Sequence, residues 1–306
     1  MNVSTSEHHL ALIQGEPVAQ QTGRALTAWL SPDEAAKVLR GGRQPEPGED
    51  LTSITARLAV AKAAVASRPV YIPENPIRTP PNRSDLDAAA AQPALQAAFA
   101  SVTWRVEMVD LRCVQSLQKA IKTDGLDDRL APVLAEPREL LQFCLPPAQS
   151  EPPSSALVDG DAKGFTISSL NPNLRIATGQ MSKAEVSAGP GQPSQMMAAL
   201  TLLVFMGTSH IQVAHYHGRY FLRDGYHRSA GLLNAGIHEI PVVYIEASTF
   251  EEVIGGNTSL FSYEVCFSER PPMVADFWHD DVADTVLQLA VRKVIRVRGE
   301  EFHVQG

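Results

Sequence analysis

The chain has 306 residues, of which 44% are hydrophobic, and a formal net charge of −8. This length can fill one large domain or two ordinary ones, so a folded, soluble protein is expected. An acidic balance argues against a protein whose main task is to grip a nucleic-acid backbone, because such proteins carry a basic face. Cys113, Cys144 and Cys266 lie far apart without C-x-x-C spacing, which favours reduced thiols in a cytoplasmic location over disulfides or a thiolate zinc site.

Residues 1–100 are predicted to form a helical N-terminal region with a proline-rich linker. From Ser31, the run SPDEAAKVLRGG combines a capping hydroxyl, a proline at the first helical position and Glu34 three residues after the cap. A second helix is predicted from Asp50 to Ser67, followed by the proline-rich stretch 68–81 and an alanine-rich helix near Leu86. These helices carry no catalytic signature, and we interpret them as packing on the main domain or on a protein partner.

No membrane insertion is expected. The first residues, MNVSTSEHHLAL, lack the basic start and apolar stretch of a secretory signal. The most apolar run, from Met196 to Met206, is about half the ~20 residues that a membrane-spanning helix needs. It is therefore predicted to be a buried core helix.

The main α/β domain is predicted at residues 101–250. The sequence alternates like a strand from Thr103 to Met108 and then takes helical spacing, which predicts a helix. The apolar residues with this helical spacing are Leu111, Val114, Leu117 and Ile121. The stretch 146–164 is rich in Pro, Ser, Gly and Asp, and it predicts a loop insertion.

Residues 210–247 are the most informative part of the chain. Two short β-like runs are separated by His217 and Gly218, a pair that can adopt the positive φ angles of a tight hairpin turn. A helix from Tyr226 to Asn234, closed by Gly236, and a buried strand at 240–245 are predicted to follow. The sequence DGYHR, residues 224–228, then falls at a junction between a strand and a helix.

This junction is predicted to bind phosphate. A helix start presents unpaired N–H groups and the positive end of the helix dipole, and Gly225 lets an anion approach the backbone there. Arg228 can give two parallel hydrogen bonds to phosphate oxygens, and His227 can donate a hydrogen bond or exchange a proton. Asp224 could hold a metal ion or orient Arg228. The alternative is a purely structural role, in which Asp224 caps the helix while His227 and Arg228 are solvated.

The hairpin, the DGYHR turn, the helix and the closing IPVVYI strand together resemble the ParB/sulfiredoxin superfamily, in which a G-x-H-R turn starts a helix and binds nucleotide phosphates. The turn is also similar to the DGQHR signature of some DNA-modification and defence proteins. The resemblance implies an α+β fold with a small mixed-sheet domain, extended by helical regions at both ends. It also implies that Gly225, Tyr226, His227 and Arg228 bind nucleotide phosphates and that His227 and Asp224 are catalytic.

The chain departs from two members of that superfamily. Tyr226 stands where sulfiredoxins carry a catalytic cysteine, so reduction of sulfinic acids is not expected. No helix-turn-helix reader of the kind found in chromosome-partition proteins follows residue 247. Free-serine kinases of the superfamily use an acidic base, and Glu107 or Asp110 are candidates for that role.

Three further patterns have competing interpretations. His215 and His217 share a strand face by alternation and belong to a group of five histidines, but their spacing does not match a metal motif, and no metal ligand is assigned. Residues 251–306 are predicted to be a C-terminal helical extension. It includes a helix at 282–297 whose start is capped by Asp280, Asp281 and Asp284, which is favoured over a cation site. The basic end of that helix could contact nucleic acid, although the acidic chain disfavours this.

The leading hypothesis is a nucleotide-dependent enzyme that binds ATP or CTP with Mg²⁺ and transfers a phosphoryl group or cleaves a phosphodiester. The alternative is a noncatalytic nucleotide-binding switch that regulates a protein or DNA partner. A third interpretation is a scaffold with an empty site, which predicts no nucleotide affinity.

Overall fold

A computed structural model describes residues 20–41, 52–136, 138–147, 157–161, 164–169, 173–176, 180–187, 194–255, 259–289 and 293–299. Its α-helices are α1 Pro32–Leu39, α2 Thr52–Ser67, α3 Arg83–Ala90, α4 Pro93–Ala98, α5 Leu126–Ala135, α6 Glu139–Cys144, α7 Tyr226–Asn234, α8 Phe250–Ile254 and α9 Tyr263–Cys266. Its strands are β1 Gln20–Ala25, β2 Ile77–Arg78, β3 Thr103–Asp110, β4 Gln115–Ser116, β5 Ala120–Lys122, β6 Leu157–Asp161, β7 Gly164–Ser169, β8 Leu174–Ile176, β9 Gln180–Ser187, β10 Ser194–Thr201, β11 Val204–Met206, β12 Gln212–Tyr216, β13 Arg219–Asp224, β14 Glu239–Glu246, β15 Asp284–Leu289 and β16 Lys293–Arg298. The predicted α+β class is confirmed.

The chain divides into two units, each discontinuous in sequence. Residues 1–147 with 209–290 form the first, and 148–208 with 291–306 form the second. The first unit holds a six-stranded sheet in the order β2-β3-β14-β12-β13-β4 and a three-stranded sheet in the order β15-β1-β5. The second unit contains a three-stranded sheet, β16-β7-β6, and two strand pairs, β9 with β10 and β8 with β11. The first unit therefore combines residues from both sides of positions 100 and 250.

The predicted hairpin, helix and strand between residues 210 and 247 are confirmed. Strands β12 and β13 pair in antiparallel fashion through a turn in which His217 has φ 49° and Gly218 has φ 73°. Helix α7 begins at Tyr226, and Gly236 follows its end with φ 79°. Strand β14 then lies parallel to β12 and antiparallel to β3, so the hairpin occupies the interior of the large sheet.

The N-terminal helices also form as predicted where the structure describes them. The Ser31 hydroxyl accepts a hydrogen bond from the Glu34 N–H, and the Glu34 carboxylate reaches back to the Ser31 N–H at 3.1 Å. Pro32 occupies the first helical position. This reciprocal pair satisfies two N–H groups that a helix start leaves free, which explains why a short helix begins there.

The helix predicted after β3 is wrong. Residues 111–113 form a single 3-10 turn, and the short strands β4 and β5 follow. All four apolar side chains of the predicted helix face are nonetheless at most 1% exposed: Leu111, Val114, Leu117 and Ile121. The pattern identified buried residues correctly, but pairing with distant strands decided the conformation, because β4 pairs with β13 and β5 with β1.

Two other predicted helices are strands. The apolar run from Met196 lies in β10 and β11, since β10 pairs along its full length with β9. Within the segment predicted as the helix 282–297, the described residues form β15 and, at the basic end, β16, which pair with β1 and β7. A short apolar run does not distinguish a buried helix from a strand by periodicity alone. In the part of the chain that the structure describes, no helix has the length and apolar character needed to cross a membrane.

Two sequence patterns lie wholly or partly outside the described residues: the stretch at residues 1–12 and part of the predicted loop insertion. Of that insertion, residues 157–161 form β6.

Candidate functional site

Gly225 links β13 to α7 with a backbone conformation that favours glycine. Its φ is 87°, in the left-handed region. A Cβ atom added there would come within 2.8 Å of Ile211 Cγ1 and 3.0 Å of Ile211 Cα. The residue is buried. Both the φ angle and the contact with Ile211 therefore require glycine, independently of any ligand.

Asp224 is held in a local network rather than in an ion pair. Its Oδ1 accepts a hydrogen bond from the Gly225 N–H at 2.7 Å. Its Oδ2 accepts from the Ser209 hydroxyl at 3.2 Å and from the Gln212 amide at 3.4 Å. Arg223 donates in turn to the side-chain amide oxygen of Gln212, Oε1, at 2.5 Å. The carboxylate therefore fixes the turn before the helix and keeps neutral partners.

Tyr226 serves the fold through its side chain. The ring is 6% exposed, and the hydroxyl donates to the Leu222 carbonyl and accepts from the Leu117 N–H at 3.2 Å. Burial raises the pKa of this hydroxyl well above its usual value. The side chain thus joins α7 to β13 and to the segment between β4 and β5. The predicted contact of Tyr226 with phosphate can involve its backbone N–H only.

The Arg228 guanidinium is engaged with backbone carbonyl groups. Nη1 donates to the Phe143 carbonyl at 2.7 Å, and Nη2 donates to the Ser209 carbonyl at 2.8 Å. Burial lowers the pKa of the guanidinium. The sequence hypothesis gave Arg228 the role of a phosphate clamp, whereas these contacts tie the end of α6 and the start of the 209–216 segment to helix α7.

His227 lies in a cationic environment that the sequence did not predict. Burial and the charges of Arg129, Lys122 and Arg228 lower the pKa of its imidazole to about 4. Burial and the Arg129 charge also lower the pKa of Lys122. Within the described residues, neither His227 nor Lys122 has a hydrogen-bond or ion-pair partner. Arg129 donates to the carbonyls of Gly125 and Asp124 at 2.9 and 3.0 Å.

The first turn of α7 adds to this positive potential. The Ser229 N–H bonds to the Gly225 carbonyl at 2.9 Å, and no side chain of the described residues caps the helix. The first N–H groups of a helix have no partner within it and carry the positive end of the dipole. A partly buried neutral histidine, a lysine with no partner among the described residues and these N–H groups together form a position where an anion would offset like charges. We call it the cationic cluster, formed by Lys122, Arg129, His227 and the start of α7.

The depressed pKa of His227 predicts a specific dependence of stability on pH. The folded pKa of about 4 lies below the usual value of 6.5, so the folded state resists protonation that the unfolded chain accepts. The contribution of His227 to the free energy of unfolding is therefore fully present above pH 6.5. It is lost as the pH falls toward 4, because the unfolded chain then binds a proton that the folded state does not. We expect the free energy of unfolding to fall less between pH 7 and pH 4 in His227→Gln than in wild type, as measured by urea denaturation. Equal losses would contradict the burial of a neutral imidazole.

The other acidic candidates are paired. The Glu107 carboxylate binds Arg83 at 2.8 Å and Arg105 at 2.9 Å. Asp110 is 1% exposed, binds Arg112 at 2.7 Å, and has its pKa lowered to about 2 chiefly by that hydrogen bond. Both carboxylates are therefore engaged with arginines, which does not favour the role of general base that the sequence analysis considered for them.

The acidic run before residue 285 does not cap a helix, which corrects the prediction. Asp280 pairs with Arg24 at 2.6 Å, and Asp284 pairs with Arg57 at 2.6 Å at the start of a strand. Of the two clustered histidines, His217 lies in the hairpin turn while His215 bonds to Glu246. Among the described residues, no group of three side chains is placed to hold a metal ion.

The fold and the cluster define an α+β protein with a cationic strand-to-helix turn. Comparisons of the chain with protein-family models, with curated proteins and with solved structures found no match.

Proposed function

We propose that this protein binds a nucleotide through its phosphates at the cationic cluster. The observation that carries the proposal is the set of like charges around His227: Lys122 and Arg129 lower the pKa of its imidazole, and no side chain of the described residues caps the start of its helix. A phosphate would offset that potential and could accept hydrogen bonds from the first N–H groups of α7. The resemblance of DGYHR to the phosphate-binding turn of the ParB/sulfiredoxin superfamily supports the same position.

The roles within the proposed site differ from those that the motif suggests. The first-turn N–H groups, Lys122 and His227 would contact phosphate, and Gly225 gives the turn its shape. Arg228 contributes charge at longer range, because two of its nitrogens already bond to carbonyl groups. Asp224 would contact Mg²⁺ only by giving up part of its hydrogen-bond network.

Two activities are compatible with this binding. In the first, the protein is a nucleotide-dependent enzyme that transfers a phosphoryl group or cleaves a phosphodiester, with Mg²⁺ offsetting phosphate charge. In the second, it is a noncatalytic switch whose bound nucleotide changes its association with a protein or DNA partner. The pKa of about 4 at His227 favours the second, because a general base is most effective with a pKa near the working pH. Turnover of bound ATP or CTP distinguishes them.

The test is titration calorimetry with the nucleotide that most raises the melting temperature in a screen with and without Mg²⁺. We expect Lys122→Met to weaken nucleotide affinity about tenfold or more, the range for losing a charge-assisted hydrogen bond, while keeping the apolar stem of the side chain. The control is Lys62→Met, which removes the same charge from an exposed position on α2. Equal affinities of the two variants would remove Lys122 from the site, and no binding by wild type would refute the proposal.

A further inference from the structure

A second polar centre lies at the hairpin end of β12 and β13, away from Asp224. The His215 Nδ1 atom is 2.8 Å from Glu246 Oε2 on the neighbouring strand β14. The imidazole stacks on the ring of Tyr220 with a centroid distance of 4.7 Å and an interplanar angle of 19°. The side chains of His215 and Glu246 are 29% and 40% exposed. The pair is therefore fixed by its neighbours and open to solvent.

Glu246 is also held in place by Arg105. Arg105 Nη1 lies 3.3 Å from Glu246 Oε1, and the guanidinium lies over the ring of Tyr244 at 4.3 Å. Glu107 binds Arg105 from the other side at 2.9 Å. A carboxylate that binds both Arg105 and His215 has a defined orientation, and so does the imidazole that it binds.

A carboxylate on Nδ1 selects one tautomer of the ring. When Nδ1 carries the proton and donates a hydrogen bond to Glu246, Nε2 keeps its lone pair. The same carboxylate stabilises the imidazolium that forms when Nε2 takes a proton. Histidine bases in hydrolytic enzymes are oriented by a third group in this way.

We propose that His215 is the general base of a second site that hydrolyses small uncharged esters. Nε2 removes a proton from water, whose oxygen attacks the acyl carbon, and the bond from carbon to the leaving oxygen breaks. The proton on Nε2 then passes to the leaving oxygen, which restores the neutral ring. An uncharged substrate fits because the charges of Arg83 and Arg105 are matched by those of Glu107 and Glu246.

The first test measures the reactivity of Nε2 in the unmodified protein. Diethyl pyrocarbonate acylates unprotonated imidazole nitrogens, and mass mapping of the peptides gives a rate for each histidine. His217 is an internal control, because it is exposed in the same hairpin and has no carboxylate partner among the described residues. We expect His215 to react severalfold faster than His217 although it is less exposed. A slower reaction at His215 would overturn the proposal without needing any variant.

The second test uses hydrolysis of p-nitrophenyl acetate near pH 7.5. We expect His215→Asn to lower the rate about a hundredfold, the lower range for a general base, and Glu246→Gln to lower it about tenfold. The control is His217→Asn, since asparagine tolerates the positive φ of that turn, and its rate should equal that of wild type. Circular dichroism melts confirm that each variant is folded. A His215→Asn protein that is folded and as active as His217→Asn would refute the proposal.

Discussion

Replacing Gly225 with alanine is expected to lower the free energy of unfolding by about 2–6 kcal/mol. The strain of a non-glycine residue at φ 87° costs about 1–3 kcal/mol. Overpacking against a buried neighbour costs a further 1–3 kcal/mol or so, and the new Cβ would lie 2.8 Å from Ile211 Cγ1. Ile211 is fully buried and leaves little room for movement. Urea denaturation of wild type and variant measures the difference.

The matched control for this variant is Gly236→Ala at the other end of α7. Gly236 has a similar φ of 79°, but a Cβ there would meet no atom within 4 Å. We therefore expect a loss of about 1–2 kcal/mol, the cost of the left-handed backbone alone. The excess loss at Gly225 measures the contact with Ile211. Equal losses at the two glycines would show that this contact does not constrain the turn.

Replacing Arg228 with alanine is expected to destabilise the protein by about 3 kcal/mol or more. Hydrogen bonds to charged groups contribute roughly 1.5–3 kcal/mol, and the carbonyls of Phe143 and Ser209 would lose their donors. Arg228→Lys should recover part of the loss, because lysine keeps the charge but cannot reach both carbonyl groups with a planar fork. The midpoint of urea unfolding and the affinity for pyrophosphate are measured on the same proteins.

Arg138→Ala is the control for the loss of an arginine charge. Its side chain is 93% exposed and lies 3.9 Å from Glu136, so its removal should change stability by less than about 0.5 kcal/mol. A similarly small effect at Arg228 would contradict its structural role. If Arg228→Lys stays folded but loses pyrophosphate affinity, Arg228 contacts phosphate directly, as the sequence motif suggested.

The strand-to-helix turn could be predicted because its signals are local. The left-handed residues His217 and Gly218, the glycine after α7 and the alternating apolar residues of β14 all lie close together in the chain. Local turn chemistry and a buried strand between two others leave few alternatives for such a segment.

The features that the sequence did not predict depend on contacts between distant parts of the chain. The charge of Lys122 acts on His227 because α7 packs on β5, which pairs with β1. Nothing in the residues around Lys122 indicates this. The same strand pairing overrode the helical spacing between Leu111 and Ile121. Arg228 matched a binding motif, but its partners at Phe143 and Ser209 come from segments that the motif does not contain.

The most direct test of nucleotide-phosphate binding is a proton NMR titration of the His227 imidazole with and without pyrophosphate, CTP or ATP. Without ligand we expect a pKa of about 4. A bound phosphate would stabilise the imidazolium, so the pKa should rise with saturable dependence on ligand, and Lys122→Met should weaken that dependence while Lys62→Met leaves it unchanged. An imidazole pKa and chemical shift that stay constant at millimolar concentrations of all three ligands would contradict phosphate binding at the cationic cluster.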